Sequence, residues 1–211
     1  MSDNGACAEG PIEPDRSIIP GTVDTWCMYG LPWANASNTP FRLYKHWVHE
    51  GGIATPFVAH WPNVIQPGTI RHEPGHVMDM MGTCLDVAGA VYPEEYQGRE
   101  VTPMEGRSLL ATLRDESTPE RLIFWEHEGN RAVRQGKWKL VSRFKGGSAH
   151  ATQVVDGHEV DESWHLYNMV ADRTEMNNLA EVYPEKHKEL IEHHNRWAER
   201  IGVAGWQQEE S

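Results

Sequence analysis

Two short stretches carry side chains whose types and spacing suit the stabilisation of negative charge. Ser2-Asp3-Asn4-Gly5 sets a carboxylate beside an amide, and the glycine permits a tight turn, so both side-chain oxygens can face one hard cation. An Asx turn closed by its own hydrogen bonds uses the same residues. Calcium takes about six to eight oxygens, so most ligands would have to come from elsewhere. In Tyr44-Lys45-His46-Trp47-Val48-His49-Glu50-Gly51-Gly52 a lysine stands among aromatic rings ahead of a glycine turn, where an ammonium can be held, partly desolvated, against an oxyanion. A surface lysine snorkelling to solvent is the plainer alternative. His46 and His49 have metal-ligand spacing only on a helix, Gly51-Gly52 opposes a long one, and neither is favoured as a ligand. His72-Glu73-Pro74-Gly75-His76 spells H-E-x-x-H, but Pro-Gly opposes the helix that would bring both histidines to one face.

The elements that must position these residues follow from periodicity and turn chemistry. Residues 1 to about 40, rich in Gly, Pro, Asn and Asp, read as an ordered loop region. Ile53 to Trp61 reads as a buried strand closed by Pro62. Between Val77 and Ala90, apolar residues at Val77, Met80, Met81, Cys84, Leu85 and Ala88 predict an amphipathic helix with Gly89 near its end. A domain boundary is placed near residue 115, after the short apolar stretch Leu109 to Leu113. Beyond it, Leu122–Trp125, Asn130–Arg134, Lys137–Val141 and Trp164–Asn168 read as a small antiparallel sheet, with a hairpin at Gln135-Gly136 and a polar insertion at 145–163. Pro184 opens a helix whose stripe is Leu190, His194, Trp197 and Ile201.

In this order, Ser-Asp-Asn-Gly, a lysine shortly before Glu-Gly-Gly, and an apolar stretch ending in Trp-Pro resemble the formylglycine-dependent sulfatase family, the arylsulfatases among them. The likeness continues through Pro74-Gly75-His76 into Thr83-Cys84-Leu85-Asp86, then Glu105-Gly106-Arg107-Ser108, Phe124-Trp125-Glu126-His127-Glu128-Gly129-Asn130-Arg131, Lys137-Trp138-Lys139-Leu140, Leu166-Tyr167-Asn168 and Asn178-Leu179-Ala180. It covers nearly the whole chain and matches the C-terminal portion of the family. The resemblance implies an α/β fold: the late part of an alkaline-phosphatase-like domain over residues 1–115, and over 116–211 a subdomain with a four-stranded antiparallel sheet and a C-terminal helix.

It further implies sulfate-ester hydrolysis, in which a formylglycine nucleophile attacks sulfur and forms a covalent sulfate hemiester, with a divalent cation, usually calcium, clamping nucleophile and sulfate oxygens. By match to the family's motifs, Asp3 and Asn4 are metal ligands and Lys45 contacts the sulfate. His127, at a strand-to-loop junction, lines the substrate pocket or serves as a hydrogen-bonded structural histidine. The family's C/S-x-P-x-R nucleophile motif belongs before Ser-Asp-Asn-Gly. Ser117-Thr118-Pro119-Glu120-Arg121 matches its letters but comes after the metal and lysine motifs and lacks the Thr-Gly-Arg that should follow. The nucleophile and the other ligands are therefore expected in a missing N-terminal region, and this chain alone is expected to be inactive and, with apolar surface and sheet edge uncovered, prone to self-association. Rival readings are a non-catalytic truncated module of the same fold and a phosphodiesterase or phosphatase of the alkaline phosphatase superfamily.

Composition narrows the partners. The 211 residues are 39% hydrophobic, enough for an ordinary buried core. With 31 acidic against 19 basic residues the net charge is −12, which argues against a nucleic-acid backbone or an anionic membrane as partner. The expected partners are a small-molecule or glycan sulfate ester and the missing N-terminal part of the same protein. Cys7, Cys27 and Cys84 form neither a C-x-x-C pair nor a disulfide framework. No apolar run approaches the length of a membrane span. No signal peptide is expected within this chain; a periplasmic or extracellular setting is expected of the parent family.

Overall fold

The computed structural model describes residues 4–8, 23, 30–144, 154–155, 158–159 and 161–203. They pack as two compact units, Met1–Pro56 together with Arg121–Ser211, and Phe57–Glu120.

In the larger unit, β3 (Leu122–His127), β4 (Asn130–Gln135), β5 (Trp138–Ser142) and β8 (His165–Asn168) form an antiparallel sheet in the order β3-β4-β5-β8. Its register pairs Phe124 with Val133, Val133 with Leu140, and Leu140 with Leu166. Because strand side chains alternate, Val133, Leu140 and Leu166 share one face and meet Leu190 of α5 (Pro184–Ile201), while Ala132, Val141 and Tyr167 share the other and pack with Val48 and Met169. α5 opens on Pro184, whose fixed φ suits the first turn, and ends at Gly202 with φ of 70°. Its expected stripe is buried at Leu190 and His194, Trp197 stacks on Phe124 at 4.9 Å, and Ile201 is 46% exposed. A two-stranded ladder, β6 (Val154–Val155) with β7 (His158–Glu159), lies within the polar insertion.

Ahead of the sheet stand α1 (Gly30–Asn38) and α2 (Glu50–Ile53). α1 lies where a loop region was expected: its sequence GLPWANASN has little apolar periodicity, and only Ala34 of it is buried. The expected strand Ile53–Trp61 is also corrected. Ile53 closes α2, Ala54 to Trp61 is irregular, and Val58 is 83% exposed; no strand among the described residues lies alongside to take its backbone hydrogen bonds. The boundary expected near residue 115 would divide the chain once. Here the N-terminal segment packs with the C-terminal sheet instead, since Val48 and Ile53 lie against Ala132, Val141 and Tyr167.

The smaller unit holds α3 (Asp79–Ala88), the hairpin β1 (Glu95–Tyr96) with β2 (Arg99–Glu100), and α4 (Leu110–Leu113). α3 fulfils the expected helix and ends at Gly89 with φ of 62°, but the face it buries is not the apolar stripe. Met81 and Val77 are 56% and 60% exposed, while Asp79 and Gly82 are buried. Asp79 accepts from the backbone N–H of His76 at 2.7 Å and of Arg107 at 2.9 Å, and a Cβ on Gly82 would press on the Arg107 backbone. The segment His72–His76 is not helical, in keeping with its Pro-Gly.

Candidate functional site

Asn4, Lys45 and Gly51-Gly52 converge through their backbones. Gly5 N donates to Gly52 O at 3.0 Å and Lys45 N donates to Ala6 O at 3.1 Å. Asn38 joins the same knot: its Oδ1 accepts from Ala6 N at 3.1 Å and its Nδ2 donates to Leu43 O at 3.0 Å. The glycines are required by this close approach. A Cβ on Gly51 would collide with the carbonyls of Arg42 and Leu43, one on Gly52 with those of Tyr44 and Trp47, and one on Gly5 with Gly51. Lys45 is half-buried between two left-handed residues, Leu43 at φ of 65° and His46 at 94°, so the chain reverses sharply around it. Asn4 is exposed at a bend, and Asp3 lies outside the described residues.

Beneath this loop a buried ionic network ties α2 to the sheet. Lys139 of β5, with zero exposure, reaches Glu50 Oε1 at 3.0 Å and Glu175 Oε1 at 2.8 Å. Arg173 Nη2 donates to Glu50 Oε2 at 3.0 Å, Glu50 N donates to Glu175 Oε2 at 2.7 Å, and Arg42 Nη1 donates to Glu175 O at 3.3 Å. Burial alone would push the Glu50 carboxyl up; the Lys139 ammonium and the Arg173 hydrogen bond more than reverse this and hold it at about 2. Glu175 moves the other way, raised by its burial. Lys139 is raised despite its burial, because both carboxylates favour its charge. Four residues separate Glu50 from Lys45, so the network anchors the lysine loop from its C-terminal side.

The turn between β3 and β4 approaches the loop from another side. Glu128 and Gly129, at φ of 51° and 83°, form a two-residue hairpin loop with both central residues left-handed. Glu128 Oε2 lies 2.7 Å from His46 Nδ1, and the His46 ring packs edge-on to Trp47 at 5.1 Å and to the exposed His127 at 5.7 Å. Asn130 fixes the His46 tautomer. Its Oδ1 accepts from Phe144 N at 3.1 Å and its Nδ2 donates to His127 O at 3.2 Å, so the amide group 3.2 Å from His46 Nε2 is a donor. Neutral His46 therefore accepts at Nε2 and carries its proton on Nδ1, the nitrogen that stands 2.7 Å from Glu128 Oε2.

Of the residues singled out in the sequence, Asn4, Lys45 and His127 thus lie in the same unit, Asn4 and Lys45 on paired backbone segments and His127 beside His46. His46 and His49 do not share a helix face: His49 precedes α2 and is 1% exposed, its pKa held well below the usual value by burial, then by Lys139 and Arg42. Sequence reasoning missed the roles of Glu50, Lys139 and Glu175. Their one signal was an acid fixed to the Gly-Gly turn, since a lysine on a strand otherwise reads as solvated.

Residues 41–200 match the family described as N-sulphoglucosamine sulphohydrolase, C-terminal. A sulfatase of Schizosaccharomyces pombe, described as uncharacterized, is 32% identical over 222 residues, covering 96% of this chain and 38% of that protein. The N-acetylgalactosamine-6-sulfatase of Mus musculus is 34% identical over 114 residues, 53% of this chain and 21% of its own length. The crystal structure of Ps i-CgsB matches with a TM-score of 0.59 at 20% identity, covering 86% of this chain and 36% of that one. A structure from work on glycosaminoglycan metabolism by Bacteroides thetaiotaomicron, BT33336S-sulf, gives 0.54 at 22% identity, covering 74% and 31%. The two structural likenesses bear on the fold. The chain spans less than two fifths of the length of each of these proteins.

Proposed function

The chain belongs to the sulfatase family, of which it forms a C-terminal portion with the α/β fold, and on that premise we propose that it supplies one wall of a sulfate-ester hydrolase active site. The observation that carries this reading is the backbone pairing of the Asn4 segment with Lys45: two motifs forty residues apart in sequence are held side by side by the Lys45 N to Ala6 O bond. In this reading Lys45 places its ammonium against a sulfate oxygen, where charge grows in the transition state. The loop needs rigidity for that task, and the buried Glu50–Lys139–Glu175 network supplies it.

Asp3 and Asn4 contribute oxygen donors of the kind calcium takes, and Asn4 is exposed to solvent, which fits part of a ligand set that other residues complete. A bound calcium supplies positive charge opposite the sulfate oxygens. The nucleophile, a formylglycine in this reading, and the remaining ligands belong to the part of the protein that precedes this portion. His127, exposed at the end of β3, lines the substrate side. The substrate is a small-molecule or glycan sulfate ester; relatives named for N-acetylgalactosamine 6-sulfate support the glycan class.

The test is hydrolysis of 4-nitrophenyl sulfate against bis(4-nitrophenyl) phosphate by the longer protein that contains this chain. The proposal expects the sulfate to be turned over at least about tenfold faster in kcat/KM, an energy difference of about 1.4 kcal/mol. Preference for the phosphodiester would replace it with phosphodiesterase activity. Turnover of the aryl sulfate by residues 1–211 alone would contradict the placement of the nucleophile.

A further inference from the structure

His46, His127 and Glu128 are the one group of three or more His, Cys, Asp or Glu side chains with metal-binding spacing among the described residues, and their donor atoms all lie within 4.8 Å of one another. We propose that these three side chains bind a divalent ion of the zinc class, at a second metal site chemically different from the Asp3–Asn4 oxygen pair.

The donor set carries the choice of ion. Two imidazole nitrogens and one carboxylate oxygen suit zinc, cobalt or nickel, whereas calcium takes oxygens and more of them. Three protein ligands also leave a fourth tetrahedral position for water. In a tetrahedral zinc site with bonds of about 2.0–2.1 Å, neighbouring donor atoms stand about 3.3 Å apart. His46 Nδ1 and Glu128 Oε2, now 2.7 Å apart, need only to spread, and His127, exposed at the end of β3, closes in by side-chain rotation. Glu128 sits in a two-residue hairpin loop and His46 is backed by the Trp47 ring, so the carboxylate and the first imidazole are presented by ordered backbone.

Asn130 sets the strength of the site. Metal at Nδ1 displaces the proton there, which moves to Nε2 and meets the Asn130 NH2 group, donor against donor. The amide must then turn its oxygen to the ring, giving up its bonds with Phe144 N and His127 O. Occupancy is therefore opposed by two local hydrogen bonds, and a side chain with acceptors at both positions keeps the bond from Phe144 N and accepts from Nε2–H, giving up only the bond to His127 O. Asn130→Asp has them.

The experiment is calorimetric titration of the chain with zinc in buffer containing excess calcium, repeated with cobalt(II) to record the visible absorption of a tetrahedral ion. His127→Ala and Glu128→Gln should each remove one bound equivalent and the cobalt absorption, with the circular dichroism spectrum unchanged. Asn130→Asp should tighten the site about tenfold. His193→Ala, which alters the His193–Glu189 pair on α5, should change neither. Retention of the full stoichiometry in His127→Ala and Glu128→Gln, or loss of the equivalent in His193→Ala, would overturn the site. Unchanged or weaker binding in Asn130→Asp would overturn the tautomer account of its strength. None of these readouts involves sulfate hydrolysis, so failure here leaves the proposed activity to its own test.

Discussion

On one face of the four-stranded sheet Val133, Leu140 and Leu166 meet Leu190 of α5; on the other, Lys139 lies fully buried between Glu50 and Glu175. The apolar face gains from area removed from water, and many packings of similar volume would serve it. The charged face has narrower terms. Buried charges are tolerated only when each is paired and hydrogen-bonded, and the partners here come from α2, from β5 and from the segment after β8. The difference separates two tasks: α5 stabilises the sheet, while the Glu50–Lys139–Glu175 network fixes where the lysine loop sits upon it.

Breaking each face in turn should give unequal losses. Lys139→Met leaves two facing carboxylates buried without their cation, and we expect it to cost about 3–5 kcal/mol in urea unfolding. Leu190→Ala on the apolar face opens a cavity under α5 and should cost about 3 kcal/mol. A loss for Lys139→Met well below that for Leu190→Ala would show that the charged face is not the more demanding one.

Among the described residues each side of the sheet also carries one buried histidine, which sharpens the comparison through pH. His194, packed between Trp164 and Trp197, is lowered to about 4, by burial first and then by Arg131. His49, near Lys139, is lowered well below its usual value, again by burial first. Both stay neutral in the fold while the unfolded chain takes up protons near pH 6.5. Their contribution is thus complete above that value and is lost as pH falls below about 6.5, at about 1 kcal/mol per pH unit for each, the loss from His194 running towards pH 4. His194→Leu should roughly halve the slope between pH 6 and 5, and an unchanged slope would assign the whole window to His49 and the charged side. Glu50, held at about 2 against a usual value of 4.5, adds a lower window: its contribution is lost as pH falls from about 4.5 towards 2, whereas Glu175, whose pKa is raised, has the opposite sign and acts above about 4.5, where the folded chain takes up its proton first. The smallest effect is local. Gly129→Ala puts a Cβ at φ of 83° against the Phe144 ring, and should cost about 1–2 kcal/mol without altering the α5 face.

The same contrast marks what was legible in the sequence. The apolar face was: alternation in Asn130–Arg134 and Lys137–Val141, the Gln135-Gly136 turn and the Leu190–His194 stripe each reflect a local periodicity, and the sheet and helix follow from them. The charged face was not, because Lys139 on a strand looks solvated until α2 is laid over it, and nothing local announces a contact between residues 50 and 139. Lys45 and the Glu-Gly-Gly turn were found by motif, yet His46 was set aside, since its neighbours His127 and Glu128 arrive from a hairpin far along the chain. The expected strand at Ile53–Trp61 failed for a related reason. An apolar run identifies something to be covered, but a strand also needs a neighbour, and none of the described residues provides one.

The most direct test of the account is kcat/KM for 4-nitrophenyl sulfate in the longer protein, compared between wild type and Lys45→Ala, with the urea midpoint of each measured alongside. Contact between Lys45 and the transferring sulfate predicts a loss of about 10²- to 10³-fold with little change in the midpoint. Equal rates at equal stability would contradict it and return Lys45 to the surface.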